Sequence, residues 1–140
     1  MTDKQKEKTT DELLSAAKEV IDHAHAPYSK FRVAAAVNTE KGVFTGVNVE
    51  NASYGLTVCA ERNAVGYAVG QGHKAISEVA IFTPCDDLIP PCGACRQVLA
   101  EFMPSDGKIT TMNKHGETKS WTLGGLLPEA FTEKTLEENT

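Results

Sequence analysis

The sequence predicts an α/β fold, a three-layer α/β/α domain around a mixed five-stranded sheet whose first two strands are antiparallel. Three observations lead there. Apolar residues recur at helical spacing near the N-terminus, two short apolar segments are joined by a tight turn, and strand-like and helix-like segments alternate after that hairpin. No repeat or linker composition interrupts the 140 residues, so one domain spanning 1–140 is expected. A chain of that length buries a core without help from disulfides.

The elements follow in order. Residues 1–9 are polar and lysine-rich and read as a flexible tail. Thr10 and Asp11 offer N-cap oxygens, and Leu13, Leu14, Ala17, Val20, Ile21 and Ala24 repeat every three or four positions, which predicts a helix over 11–25 ended by Pro27. Phe31 to Val37 and Val43 to Val49 predict a hairpin across Glu40-Lys41-Gly42. A loop over 50–58 leads to a predicted helix from Cys59 to Val69, stopped by Gly70-Gln71-Gly72. Val79 to Thr83 predicts the third strand, and residues 84–91, rich in proline and acid, a loop. Cys92 to Phe102 predicts a helix with Val98, Leu99 and Phe102 on its apolar side. Lys108 to Met112 and Thr118 to Leu123 predict two strands around Lys114-His115-Gly116, followed by one helical turn over 124–127. Residues 132–140 are polar and read as a second flexible tail.

Composition narrows the function. A net charge of −5 with scattered Lys and Arg disfavours a long polyanion, so no nucleic-acid partner is expected and a small substrate fits better. The apolar runs are too short to span a bilayer, and Met1 to Thr10 lacks the apolar stretch of a secretory signal, so no membrane partner and a cytoplasmic location are expected. In that setting the four cysteines argue against a disulfide framework, and Cys92-Gly-Ala-Cys95 reads as a metal or redox pair.

The chemistry-bearing residues are Cys59, Glu61, Cys92 and Cys95. Two thiolates three apart at one helix start, joined by a third from another helix start, form three corners of a tetrahedron. The open fourth corner is the arrangement of a catalytic rather than a structural zinc. Helix N-termini favour thiolates through unpaired N–H groups and the positive dipole end. Glu61, two residues beyond Cys59, can stand beside the metal without binding it and move protons. Three thiolates leave a Zn²⁺ centre with excess negative charge. Arg62, next in the chain, is expected to hydrogen-bond a ligand sulfur and drain part of that charge.

These residues match the signature of zinc deaminases, in which the glutamate is not a ligand and all three protein ligands can be cysteine. The chain resembles the cytidine deaminases of the small homotetrameric kind. The matching stretches are Tyr28-Ser-Lys-Phe31, Gly46-Val-Asn-Val-Glu-Asn-Ala-Ser-Tyr54, Cys59-Ala-Glu-Arg62, Pro91-Cys-Gly-Ala-Cys-Arg-Gln97 and Leu126-Leu-Pro128 with Phe131, in order over roughly residues 11–131. The resemblance implies hydrolysis of cytidine and deoxycytidine to uridine and deoxyuridine with release of ammonia, a step of pyrimidine salvage. It implies one Zn²⁺ per subunit on Cys59, Cys92 and Cys95, with Glu61 carrying protons to N3 and to the leaving amine. It further implies that Asn48 and Glu50 bind the ribose, mainly its 3′-hydroxyl, and that Phe31 lines the pocket. The backbone of Ala60 would meet the pyrimidine edge, and Phe131 would stack on the base from a neighbouring subunit of a homotetramer.

Other readings stand beside this one. The family pattern after Phe31 is Pro-Val-Gly-Ala, whereas here it is Arg32-Val33-Ala34-Ala35, and the Gly-Pro that often follows Phe131 is missing. Arg32 and Ala34 motivate an alternative substrate, another cytosine nucleoside such as blasticidin S or a modified cytidine. A CxxC pair alone is equally a structural zinc knuckle, with Cys85 as fourth ligand, in a non-catalytic zinc-stabilised binding module. The histidines 23, 25, 73 and 115 lie at a helix end or in turns and are not expected to bind zinc. Trp121 reads as core or interface filling.

Overall fold

The computed structural model describes residues 8–139. The predicted tail over 1–9 lies outside the described residues except for its last two. The sheet has five strands in the order β2-β1-β3-β4-β5. These are β1 (Ala34–Thr39), β2 (Gly42–Val47), β3 (Ile76–Phe82), β4 (Lys108–Met112) and β5 (Thr118–Thr122). β1 runs antiparallel to both β2 and β3, β3 and β4 are parallel, and β5 returns antiparallel, so the sheet is mixed.

Helices cover both faces. α1 (Thr10–Val20) lies on one side, where Leu13, Leu14, Ala17 and Ile21 pack with Ala34, Ala36, Ala80 and Phe82. α2 (Ala60–Gly70) and α3 (Gly93–Phe102) lie on the other, where Ala64, Val65, Ala68 and Leu99 pack with Ala35, Val37, Val79, Ile81 and Ile109. The alternation along β1 assigns each residue to one layer. β1 is buried along its whole length, as a strand covered on both faces must be.

Several boundaries differ from the sequence reading for identifiable reasons. The N-cap of α1 is Thr9, not Thr10 or Asp11, because Thr9 and Glu12 form a reciprocal capping box. Thr10 instead hydrogen-bonds Glu78 on β3. The helix stops at Val20 and tightens into a 3₁₀ turn, Ile21–His23. Residue 25 is claimed by a backbone bridge, its N–H to the Asn48 carbonyl and its carbonyl to the Glu50 N–H. β1 begins three residues late because the Asn48 side chain pairs with the backbone of Phe31 and Val33. Past Phe131, where a mobile tail is expected, the chain forms α5 (Glu133–Glu138) behind a second capping box at Thr132. The turn after β5 is α4 (Leu123–Leu126). Trp121 is half-buried on edge strand β5, with the Lys119 ammonium 5.3 Å from its ring centre.

Gly46 sets the distance between β2 and α2. A Cβ there would stand 2.4 Å from the Ala64 nitrogen and 2.7 Å from the Ala60 carbonyl oxygen, so strand and helix meet backbone to backbone. The Asn63 side chain adds a 2.8 Å hydrogen bond to the Val47 carbonyl. Together they register the end of β2 against the start of α2.

Candidate active site

α2 and α3 start side by side. Cys59 is the N-cap of α2 and Cys92 of α3, and neither helix has a side-chain cap. The first-turn N–H groups therefore have no side-chain acceptor, which favours negative charge at both helix starts. The sulfurs of Cys59 and Cys92 are 3.9 Å apart, and those of Cys92 and Cys95 are 3.5 Å apart. All three ligand atoms lie within 4.8 Å of one another. Tetrahedral zinc with Zn–S bonds of about 2.3 Å requires sulfurs about 3.8 Å apart. The donor set and its spacing thus fit a zinc ion.

Electrostatics reinforce the fit. The Cys59 thiol is lowered to about 5, first by the hydrogen bond from Cys95, then by Arg62 and Cys92, against the cost of burial. Cys95 is pushed far up by that same shared hydrogen bond and by burial, so one sulfur keeps the proton the other yields. Arg62 places Nη2 3.8 Å from the Cys59 sulfur and 3.4 Å from the Thr57 carbonyl. Its Nε is buried without a hydrogen-bond partner. Cys59 is the main reason the guanidinium holds its proton more firmly than usual.

Glu61 is 5% exposed. Burial first, and the neighbouring Cys59 charge after it, push its carboxyl up to about 7. A carboxyl poised there accepts and releases protons near neutral pH. Ala60, the first residue of α2, is fully buried.

A second group stands at the ends of β1 and β2. Asn48 is buried, with Oδ1 accepting from the Val33 N–H at 3.0 Å and Nδ2 donating to the Phe31 carbonyl at 2.8 Å. Each end of that carboxamide keeps a second bonding position. Glu50 accepts from the N–H groups of Tyr28 and Ser29 at 3.0 and 3.1 Å, and from the Ser29 hydroxyl. The Ser29 hydroxyl is the largest reason its carboxyl sits below the usual range. The tight turn ends on Lys30 at φ 64°, a left-handed conformation uncommon outside glycine. Phe31 leaves this turn half-exposed.

Phe131 belongs to neither group. It lies in the irregular connection between α4 and α5, with 56% of its surface exposed. Its carbonyl accepts a 2.8 Å hydrogen bond from Gln97 of α3. The sequence reading gave Gln97, Asn63 and Ser29 no role. Gln97 and Ser29 sit inside the matched stretches, but only the fold shows which backbone groups they reach.

The residues behind the alternative readings are engaged elsewhere. Arg32 pairs with Asp22 at 2.9 Å beyond the end of α1. Ala34 packs in the α1 layer, on the sheet face opposite α2 and α3. Cys85 is a free thiol that donates to the Asp87 carbonyl, and it does not join the three sulfurs. His73 meets Phe44 and Glu40, and His115 meets Asp86.

Known proteins are similar to this chain in sequence and fold. The chain is 42% identical over 127 residues to the cytidine deaminase of Halalkalibacterium halodurans, covering 90% of this chain and 96% of that protein. A blasticidin-S deaminase from Bacillus cereus is 32% identical over 130 residues, covering 86% of this chain and 91% of that protein. The crystal structure of cytidine deaminase from Burkholderia pseudomallei superposes with a TM-score of 0.84 at 42% identity, covering 89% of this chain and all of that one. The family model for the cytidine and deoxycytidylate deaminase zinc-binding region matches residues 7–111. With the three-thiol cluster and Glu61 inside that match, the chain belongs to the cytidine and deoxycytidylate deaminase family.

Proposed function

We propose that this protein hydrolyses cytidine and deoxycytidine to uridine and deoxyuridine, releasing ammonia, as a pyrimidine-salvage enzyme. The observation that carries the reading is a buried glutamate poised near 7 beside three thiols spaced for zinc. Zinc held by Cys59, Cys92 and Cys95, one ion per subunit, supplies the Lewis acidity that brings the pKa of water to about 7. Glu61 takes a proton from the attacking water and delivers it to N3 of the cytosine as oxygen adds to C4. It then takes the second proton, from the hydroxyl now on C4, and hands it to the amine as the C4–N bond breaks and the C4 carbonyl forms, so water is consumed and ammonia leaves. Arg62 withdraws charge from Cys59 through the contact at 3.8 Å.

Recognition falls to the second group. Asn48 and Glu50 present their remaining hydrogen-bonding positions to the ribose, Phe31 lines the pocket, and the Ala60 backbone meets the pyrimidine edge. Phe131 stacks on the base in a neighbouring subunit of a homotetramer. The exposed apolar residues Tyr28, Phe31, Val49, Tyr54 and Leu56 support an assembly that covers them. Among the described residues no helix is long and apolar enough to cross a membrane, which accords with a cytoplasmic enzyme.

The test is loss of ultraviolet absorbance with cytidine, deoxycytidine and blasticidin S, before and after zinc removal. Turnover of both simple nucleosides, lost with zinc and regained on adding it, is expected. Turnover of blasticidin S alone would transfer the assignment to the activity named in the Bacillus cereus relative, although Arg32 and Ala34 no longer argue for it. Zinc bound with no turnover of any of the three would favour a binding module.

A further inference from the structure

Two residues follow the last zinc-site cysteine on α3, and both reach the C-terminal segment. Arg96 donates from Nε to the Pro91 carbonyl at 2.8 Å and from Nη1 to the Leu126 carbonyl at 3.1 Å. It thereby ties the residue before Cys92 to the end of α4. Gln97 donates from Nε2 to the Phe131 carbonyl at 2.8 Å. Among the described residues, 128–131 make no other hydrogen bond, and Phe131 makes no ring–ring contact. Between the turn at 128–129 and the Thr132 cap of α5 the segment has neither ladder nor helix bonds, so the Gln97 bond ties to α3 the backbone from which the exposed Phe131 ring projects.

We infer that Gln97 is a positioning residue that anchors Phe131 to the helix carrying Cys95, so that the metal-site helix of one subunit sets the stacking ring used by its neighbour. The inference rests on the proposed role of Phe131 in a neighbouring pocket. Gln97 touches no substrate in this account. Its effect is to hold the ring ready, which strengthens binding in the ground and transition states alike and is therefore expressed in KM. A single hydrogen bond of this kind corresponds to about a threefold to tenfold change.

The experiment is a double-mutant cycle on the zinc-loaded enzyme, measuring kcat and KM for cytidine. Phe131→Ala is expected to raise KM. Gln97→Ala and the near-isosteric Gln97→Glu, which lacks the donor, are expected to raise KM about threefold to tenfold with kcat unchanged. Gln97→Lys, which restores a donor, is expected to recover most of the loss. In the Phe131→Ala background the Gln97 substitutions are expected to add nothing. If Phe131→Ala raises KM but the Gln97 variants do not, or if the two effects add, the inference fails while the stacking role stands. If Phe131→Ala leaves KM unchanged, the stacking role fails and takes the inference with it. A fall in kcat and melting temperature with no change in KM would mark Gln97 as structural only and overturn the proposal.

Discussion

The sulfur site and the recognition rim are built by different means. The sulfur site sits on two helix starts, and its members are separated by at most three positions within each helix. Helix geometry sets the spacing within each start, and the packing of α2 beside α3 brings Cys59 to Cys92 across 33 residues. The rim is held by side chains reaching across the chain, over 17 residues from Asn48 to Phe31 and 34 from Gln97 to Phe131. Its aromatic residues are exposed, whereas Glu61 and Cys95 are buried. In the proposed function, chemistry falls to the helix starts and recognition to segments tied by long-range hydrogen bonds. Damage to the first is expected to lower kcat, and damage to the second to raise KM.

The sharpest way to break that division is Glu61→Gln. It keeps the volume and removes the proton carrier, so kcat is expected to fall about a hundredfold to ten-thousandfold at unchanged zinc content. A variant within tenfold of the parent would remove Glu61 from the chemistry.

Next in size is the pH dependence of the metal-free protein. Folded Glu61 keeps its proton up to about 7, whereas the unfolded chain releases it near 4.5. Between those values the folded state binds more protons, so this group lowers stability as pH rises. Cys59, lowered to about 5, works in the opposite direction above that pH. The comparison that isolates Glu61 is parent against Glu61→Gln in urea unfolding. The stability advantage of the variant is expected to grow from pH 4.5 to 7, and a constant difference would refute the burial account.

Gly46→Ala attacks the scaffold between the two regions. Its methyl overlaps the α2 backbone, so a loss of about 1–3 kcal/mol is expected, together with a lower kcat as Glu61 moves. Asn48→Ala tests the rim. It leaves the Phe31 carbonyl and the Val33 N–H unpaired, at a cost of about 1–3 kcal/mol, and KM is expected to carry the functional loss. Smallest of all is Arg32→Ala. Its ion pair with Asp22 is exposed and worth at most about 1 kcal/mol, and cytidine kinetics are expected to stay unchanged. A changed substrate preference would return Arg32 to the pocket.

The same division explains what could be read from the chain. The pairs Cys59–Glu61 and Cys92–Cys95 were legible because local spacing at a helix start is already three-dimensional information, whereas the meeting of the two starts is a matter of packing that spacing does not carry. The alternation of strands and helices likewise indicated the layered sheet. Where residue 25 leaves its helix and where β1 begins were not legible, since both depend on bonds to Asn48 and Glu50, more than a dozen positions away. Asn48 falls inside the strand expected over Val43 to Val49. It lies beyond the end of β2 and holds the backbone that presents Phe31. The helix α5 escaped notice because its six residues show no apolar period, and its signal is the Thr132 cap alone.

Trp121 makes these differences measurable. It is the single tryptophan, and it lies on β5, at the far edge from β2 and separated by β4 from the strand that leads to Cys92. It pairs in register with Ile109, which packs in the α2 and α3 layer. Intrinsic emission therefore reports whether this edge of the sheet is intact and is expected to change far more on unfolding than on adding zinc or nucleoside. Emission and activity followed in one urea series would distinguish variants that unfold from variants that only misplace a ring.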